Sequence, residues 1–216
     1  MKIQIDTKKA GLFLGAIVVI ALIIYGCIWG YNKYMDAYVK MDFDELKDKK
    51  TLIVYYSRND NIEKIAKSIH KQIGGNLYKL EPQEPYPTNE EEYIKRIKKE
   101  KSNDDIIELK KHPSTLDYDV IYVGTPIVAH SSAPVVNSFL RTSKLSDKIV
   151  LPFSVFDSKK PIPEGLYRLK RYAGGAITKN ILLLDKNKPE TYDLEVKSWT
   201  SNLHFTRREL KRLNEE

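Results

Sequence analysis

The chain has one cysteine in 216 residues, Cys27, and it lies inside an apolar run. The rest can form no disulfide, offers no thiolate nucleophile and holds no cysteine-ligated metal. Histidine is scarce as well. His70, His112, His130 and His204 are scattered without the spacing of metal ligands, which argues against a zinc site. There is no Walker-type phosphate loop and no nucleophile elbow. Basic residues exceed acidic ones, 36 to 29, for a net charge of +7, but no block concentrates them. No ladder of aromatics is set among them, so they read as a solvated lysine-rich surface and not as a nucleic-acid interface. Such a surface does favour nearness to anionic lipid.

One long hydrophobic run is present. Ala10 to Gly30 contains no charged residue. At ~1.5 Å per residue it spans roughly 30 Å, about one bilayer core. Lys8 and Lys9 flank it on one side, and Tyr25, Trp29, Tyr31 and Tyr34 form an interfacial aromatic belt on the other. No small-x-small cleavage site follows. Ile24-Tyr25-Gly26-Cys27 is only loosely like a lipobox, because Tyr25 fits poorly and Ile28-Trp29 prolong the apolar run. The expectation is an uncleaved single-pass anchor in the cell membrane. Residues 1–9 are then a short basic tail, 10–30 the transmembrane helix, 31–50 a short helical juxtamembrane stalk, and 51–216 the soluble domain.

The lysines give a mixed signal for orientation. Lys2, Lys8 and Lys9 precede the span, whereas Lys33, Lys40, Lys47, Lys49 and Lys50 follow it. Lys8 and Lys9 abut the helix and tip the reading towards an extracytoplasmic domain. Gly11, Gly15, Gly26 and Gly30 fall within roughly a 100° arc of one helix face. They form two small-x-x-x-small pairs, separated on that face by Val19 and Leu22, and suggest a helix partner or a homodimer. The lysine-rich, alanine-poor composition fits an AT-rich bacterial genome.

From Thr51 onward strand and helix signals alternate. Leu52–Tyr56, Val120–Gly124 and Lys148–Phe156 are apolar runs, each short enough for a buried strand. Asn76–Leu80 and Ile181–Leu184 are further strands. Between them lie helices over Asn61–Ile73, ended by Gly74-Gly75, over Glu90–Lys101, and over Ala133–Leu140 with Pro134 in its first turn. A final helix is expected over Tyr192–Leu213. Such alternation predicts an α/β fold with a parallel sheet covered by helices on both faces.

Several motifs then carry a resemblance. Ser57-Arg-Asn-Asp-Asn-Ile62 follows the first strand and opens a helix. Glu84-Pro85-Tyr86-Pro87 follows the second strand. Tyr118-Asp119 leads through the third to Gly124-Thr125-Pro126-Ile127, Leu145 to Phe153 makes the fourth, and Trp199 lies in the final helix. Residues Thr51 to Leu203 resemble the flavodoxin-like family. The resemblance implies a doubly wound five-stranded parallel sheet in the order 2-1-3-4-5. It also implies FMN at the carboxyl ends of the strands, used for electron transfer or for quinone and nitro-group reduction.

Carried over to this chain, the cofactor-binding candidates are Ser57, Arg58, Asn59, Asp60, Asn61 and Ile62 in the phosphate loop. Thr125, Pro126, Ile127 and His130 follow in the second loop, and Phe156 and Asp157 in the third. The family's phosphate loop runs Ser/Thr-x-Thr-Gly-Asn-Thr, so Ser57 and Asn61 match while Asn59, Asp60 and Ile62 depart. Asp60 puts a carboxylate and a Cβ where glycine is usual. Two functions stay open: a membrane-anchored FMN electron-transfer protein, and a cofactor-free scaffold or accessory subunit that has kept the fold and lost the site.

Overall fold

The computed structural model describes residues 7–36, 38–40, 46–159 and 164–213. The chain opens with α1 (Thr7–Asp36), in which Gly15–Lys33 is long and apolar enough to cross a membrane. A signal sequence has the same length and composition.

The sheet follows from which strands are apolar on both sides. Every residue of β2 (Thr51–Tyr55) and β4 (Val120–Gly124) is buried, as is β7 (Ile149–Phe156) up to Ser154. Strands of this kind must be covered on both faces. β3 (Asn76–Lys79) lies at one edge, and the order runs β3-β2-β4-β7, all parallel. Two short strands share the fifth position. β8 (Ile177–Thr178) pairs with the start of β7 and β9 (Leu182–Asp185) with its end. This is the expected 2-1-3-4-5 order.

Alternate residues feed two cores. Ile53, Tyr55, Tyr122, Leu151 and Phe153 pack with α2 (Asp60–Ile73) and α5 (Tyr192–Thr200). Leu52, Val54, Ile121, Val123 and Val150 pack with α3 (Glu90–Asn103) and α4 (Pro134–Thr142). Local signals set the helix ends. Asn89 Oδ1 accepts the N–H groups of Glu91 and Glu92 at 2.9 and 3.1 Å and caps α3. Gly74, at φ 82°, ends α2 in a conformation that favours glycine.

Two expectations are corrected. The final helix does not run from Tyr192 to Leu213. α5 stops at Thr200, Leu203 and Phe205 turn into the core, and β10 (His204–Thr206) precedes a separate α6 (Arg207–Leu213). The cause is a capping box. Thr206 Oγ1 accepts the Glu209 N–H at 3.1 Å, and the Glu209 carboxylate accepts the Thr206 N–H at 2.7 Å. Nor is the juxtamembrane stretch a helix throughout. α1 ends at Asp36, and β1 (Tyr38–Lys40) pairs antiparallel with β10, Tyr38 opposite Thr206 and Lys40 opposite His204. Leu46 is fully buried in the core, so β1 and Leu46, both before Thr51, are built into the domain.

The C-terminal elements are latched by charge. Lys179 Nζ lies 2.7 Å from Glu209, and Arg212 reaches Asp147 at 2.6 Å and the Gly175 carbonyl at 2.6 Å. Burial pushes the Glu209 carboxyl up. The hydrogen bonds from Lys179 and the Thr206 N–H outweigh it and hold the group below the usual carboxylate range. A depressed carboxyl contributes stability that is full above its unfolded pKa and lost as pH falls through the folded one. Glu209→Gln is therefore expected to lose about 1–2 kcal/mol near neutral pH, and the difference from wild type should close in acid. Urea unfolding at both pH values checks this. A loss of equal size in acid would show that the charge is not responsible.

Candidate functional site

Three loops past the carboxyl ends of β2, β4 and β7 enclose a cleft of about 460 Å³. Asn59 and Asn61 form its first wall, at the start of α2. Asn59 is the N-cap residue, with φ −124° and ψ 167°, yet its side chain does not cap the helix. The first-turn N–H groups therefore keep their donor capacity, at the positive end of the helix dipole. Asp60 is exposed and does not line the cleft. Its charge acts on Lys67, whose ammonium is held protonated chiefly by Glu63 and less by Asp60.

Pro126, Ile127, Ala129 and His130 form the second wall. The last three belong to a hairpin that no sequence signal announced, β5 (Ile127–Val128) against β6 (Ser131–Ser132). Its two turn residues, Ala129 and His130, have φ of 44° and 62°. A two-residue turn of this hand normally takes Asn-Gly, and each of these side chains carries a penalty of roughly 1–2 kcal/mol. Neighbours hold the turn in place. Lys101 donates to the Ala129 carbonyl, and burial lowers the pKa of its ammonium. On the other side, a Cβ on Gly165 would stand 2.4 Å from the His130 carbonyl oxygen. Strain held by surrounding structure is a frequent mark of a binding loop. Thr125 supports the wall from beneath. It is fully buried, and its Oγ1 accepts the Ala133 N–H at 2.9 Å.

Val155, Phe156 and Asp157 close the third side. Asp157 accepts the Lys159 N–H at 3.1 Å and pairs with Lys186 at 3.0 Å. Lys186 follows β9 and joins the wall. The structure thus brings together seven sequence-predicted residues: Asn59, Asn61, Pro126, Ile127, His130, Phe156 and Asp157. Ala129, Val155 and Lys186 were not among the candidates. Ala129 and Lys186 lie just past strands, and Val155 lies among the last residues of β7.

Other candidates point elsewhere. The Ile62 side chain is fully buried in the core, because its place in the first turn of α2 faces the sheet. Arg58 turns away to Glu90 and the Thr88 carbonyl and stacks 4.1 Å above the Tyr93 ring. Ser57 is buried and donates to the Asn59 carbonyl, fixing the bend of the loop. Ser57 and Arg58 also border a second, smaller cleft with Tyr56, Leu80 and Tyr86. The Glu84-Pro85-Tyr86-Pro87 motif is explained there by packing. Arg96 donates to the Pro85 and Glu84 carbonyls at 2.9 and 3.1 Å, and Tyr86 donates to the buried Glu100 at 2.9 Å. Burial, then Glu100, raises the Tyr86 phenol far above its ordinary pKa, so it stays protonated at any physiological pH.

The main cleft has apolar walls, two amides and a helix start at one end, and an ion pair with a histidine at its rim. It suits a flat, largely apolar molecule with an anionic tail. That donor set fits a flavin mononucleotide, and Asp60 is exposed and outside the lining of the cleft.

A family model described as Flavodoxin matches residues 50–203. A candidate flavoprotein from Bacteroides uniformis is similar in fold, with a TM-score of 0.60 and 24% identity over 69% of this chain and 98% of its own. A candidate flavoprotein from Bacteroides eggerthii gives 0.60 and 23% over 70% and 96%. A flavoprotein from Lactobacillus acidophilus, solved in complex with FMN, gives 0.54 and 19% over 67% and 98%. No curated protein matches the chain.

Proposed function

The chain belongs to the flavodoxin family, and on that premise we propose that it is a membrane-anchored flavoprotein that holds FMN in the main cleft and serves electron transfer. One observation carries the reading. The phosphate-loop amides, the strained hairpin and the end of β7 converge on a single cleft at the carboxyl ends of the sheet, where open α/β folds bind ligands.

FMN, when bound, supplies one- and two-electron chemistry. The protein supplies the surroundings. Asn59, Asn61 and the first-turn N–H groups of α2 hold the phosphate. Ile127, Ala129, Val155 and Phe156 exclude water from the ring. The Asp157–Lys186 pair and His130 set the local charge. Because Asp60 points outward, its repulsion on a phosphate passes through solvent and is screened.

A second reading, a cofactor-free scaffold, is favoured by one feature: Asp60 stands where the family's phosphate loop has glycine. An FMN titration of the whole chain in detergent micelles separates the two, read by quenching of flavin fluorescence. Saturable binding at about micromolar FMN or tighter supports the flavoprotein. No binding up to roughly millimolar FMN, with an intact circular dichroism spectrum, makes the protein a scaffold.

In this reading α1 is the anchor, and the domain lies on the extracytoplasmic side. The anchor also pairs with another helix through the face carrying Gly11, Gly15, Gly26 and Gly30. An added Cβ at Gly15, Gly26 or Gly30 meets nothing within 4 Å, so that face is open along most of its length. Gly15→Ile with Gly26→Ile should abolish association in a membrane two-hybrid assay. Undiminished association would remove the idea.

A further inference from the structure

We infer that the domain hangs from the membrane by the pole opposite its cleft, so that the cleft's partner is water-soluble and not a molecule dissolved in the bilayer. The inference rests on the anchor reading above and adds an orientation to it.

The attachment point is fixed by pairing. α1 ends at Asp36, and Tyr38 already lies in β1, hydrogen-bonded to β10. From Lys33, the last residue of the apolar span, to Tyr38 the chain covers at most about 12 Å: three helical rises and two extended residues. β10 is in turn packed under the amino ends of the strands. Phe205 is fully buried, and the ammonium of Lys179, just past β8 and beside the start of β7, lies 4.1 Å from the centroid of its ring. The same ammonium holds Glu209. Arg212 binds Asp147, two residues before β7. On the far side of Leu46, Lys50 donates its N–H to Asp119 at 2.9 Å, just before β4. Among the described residues, these ties place the membrane-proximal segment at the amino-terminal pole of the sheet.

The cleft lies at the other pole. β7 runs eight residues from Ile149, beside the attachment, to Phe156 in the cleft wall. At ~3.3 Å per residue that is roughly 25 Å. The β1–β10 pairing, with Leu46 buried behind it, leaves no long tether by which the domain could turn over. A partner confined to the hydrocarbon core does not reach the cleft, whereas a soluble one does.

The test uses the whole chain in lipid nanodiscs, with Cys27→Ala and one cysteine added at Lys159→Cys beside the cleft or at Arg208→Cys beside the attachment. Both positions are exposed. With nitroxide on the lipid headgroups, a fluorophore at position 208 should be strongly quenched and one at 159 should keep nearly all its emission. A bulky water-soluble maleimide should react at position 159 as fast in nanodiscs as in detergent. Equal quenching at the two positions, or slowing of the maleimide at 159 by the bilayer, overturns the inference while leaving the anchor intact. Failure of the chain to enter nanodiscs overturns the anchor, and the orientation with it.

Discussion

Asn61→Asp is expected to weaken FMN binding by about two decades and to leave riboflavin binding within about threefold. Asn61 lines the cleft in the first turn of α2. The substitution keeps the shape of the side chain and replaces an amide donor with a carboxylate. At ~5 Å from a phosphate dianion and an effective dielectric of ~40, the repulsion is roughly 3 kcal/mol. Riboflavin has no phosphate and does not experience it. Asp60→Gly provides the contrast. Its carboxylate is exposed on the side of Lys67, so removing it should tighten FMN by less than about tenfold. Fluorescence titrations of the three proteins with both flavins check the pattern. If Asn61→Asp weakened riboflavin as much as FMN, Asn61 would be a neighbour of the ring and not of the phosphate. If neither ligand were affected, the cleft would not be the flavin site.

The sequence reading was strongest where one segment's chemistry settled its own structure. β2 after Thr51 and the whole of β4 are apolar and had no place except the middle of a covered sheet. Gly74 and Pro134 each announced a helix end through a fixed or favoured backbone angle. What escaped depends on distant pairing. β1 is three residues long, and its partner β10 lies at the opposite end of the chain, so neither strand shows a period of its own. The Thr206-x-x-Glu209 box was visible, but Leu210 and Leu213 continue an apolar spacing that reads as one helix. The hairpin at Ala129-His130 escaped because its residues are not those its turn geometry favours.

The site divides in the same way. A motif places residues on a loop, but the loop's twist decides which side chains face inward. Asn59 and Asn61 alternate into the cleft, while Arg58, Asp60 and Ile62 do not line it. Lys186 enters through the neighbour relation of β7 and β9, which no local pattern encodes. The β1–β10 pair also has a practical consequence: a soluble fragment cut after Lys40 loses a strand of the domain, so truncations should begin before Tyr38.

Gly124→Ala is expected to cost the fold heavily through a single added methyl group. Gly124 ends β4 and sits where the hairpin loop leaves the sheet. Its flanks are fixed by hydrogen bonds from the Tyr56 N–H to the Gly124 carbonyl at 3.0 Å and from the Thr125 N–H to Phe153 at 3.1 Å. A Cβ there would stand 2.5 and 2.6 Å from two atoms of the Phe153 ring and 2.8 Å from Tyr55 Cβ. Phe153 is fully buried among close-packed neighbours and has nowhere to swing. Overpacking of this kind costs about 1–3 kcal/mol, or a fall in Tm of roughly 2–12 °C for a domain of this size. The added methyl also pushes on the loop below Pro126, so FMN binding should weaken with stability. Phe153→Leu in the same chain removes the ring atoms that clash. If the cause is steric, the double variant is more stable than the sum of the two single losses. Calorimetry of the four proteins decides this, and strict additivity would place the strain elsewhere.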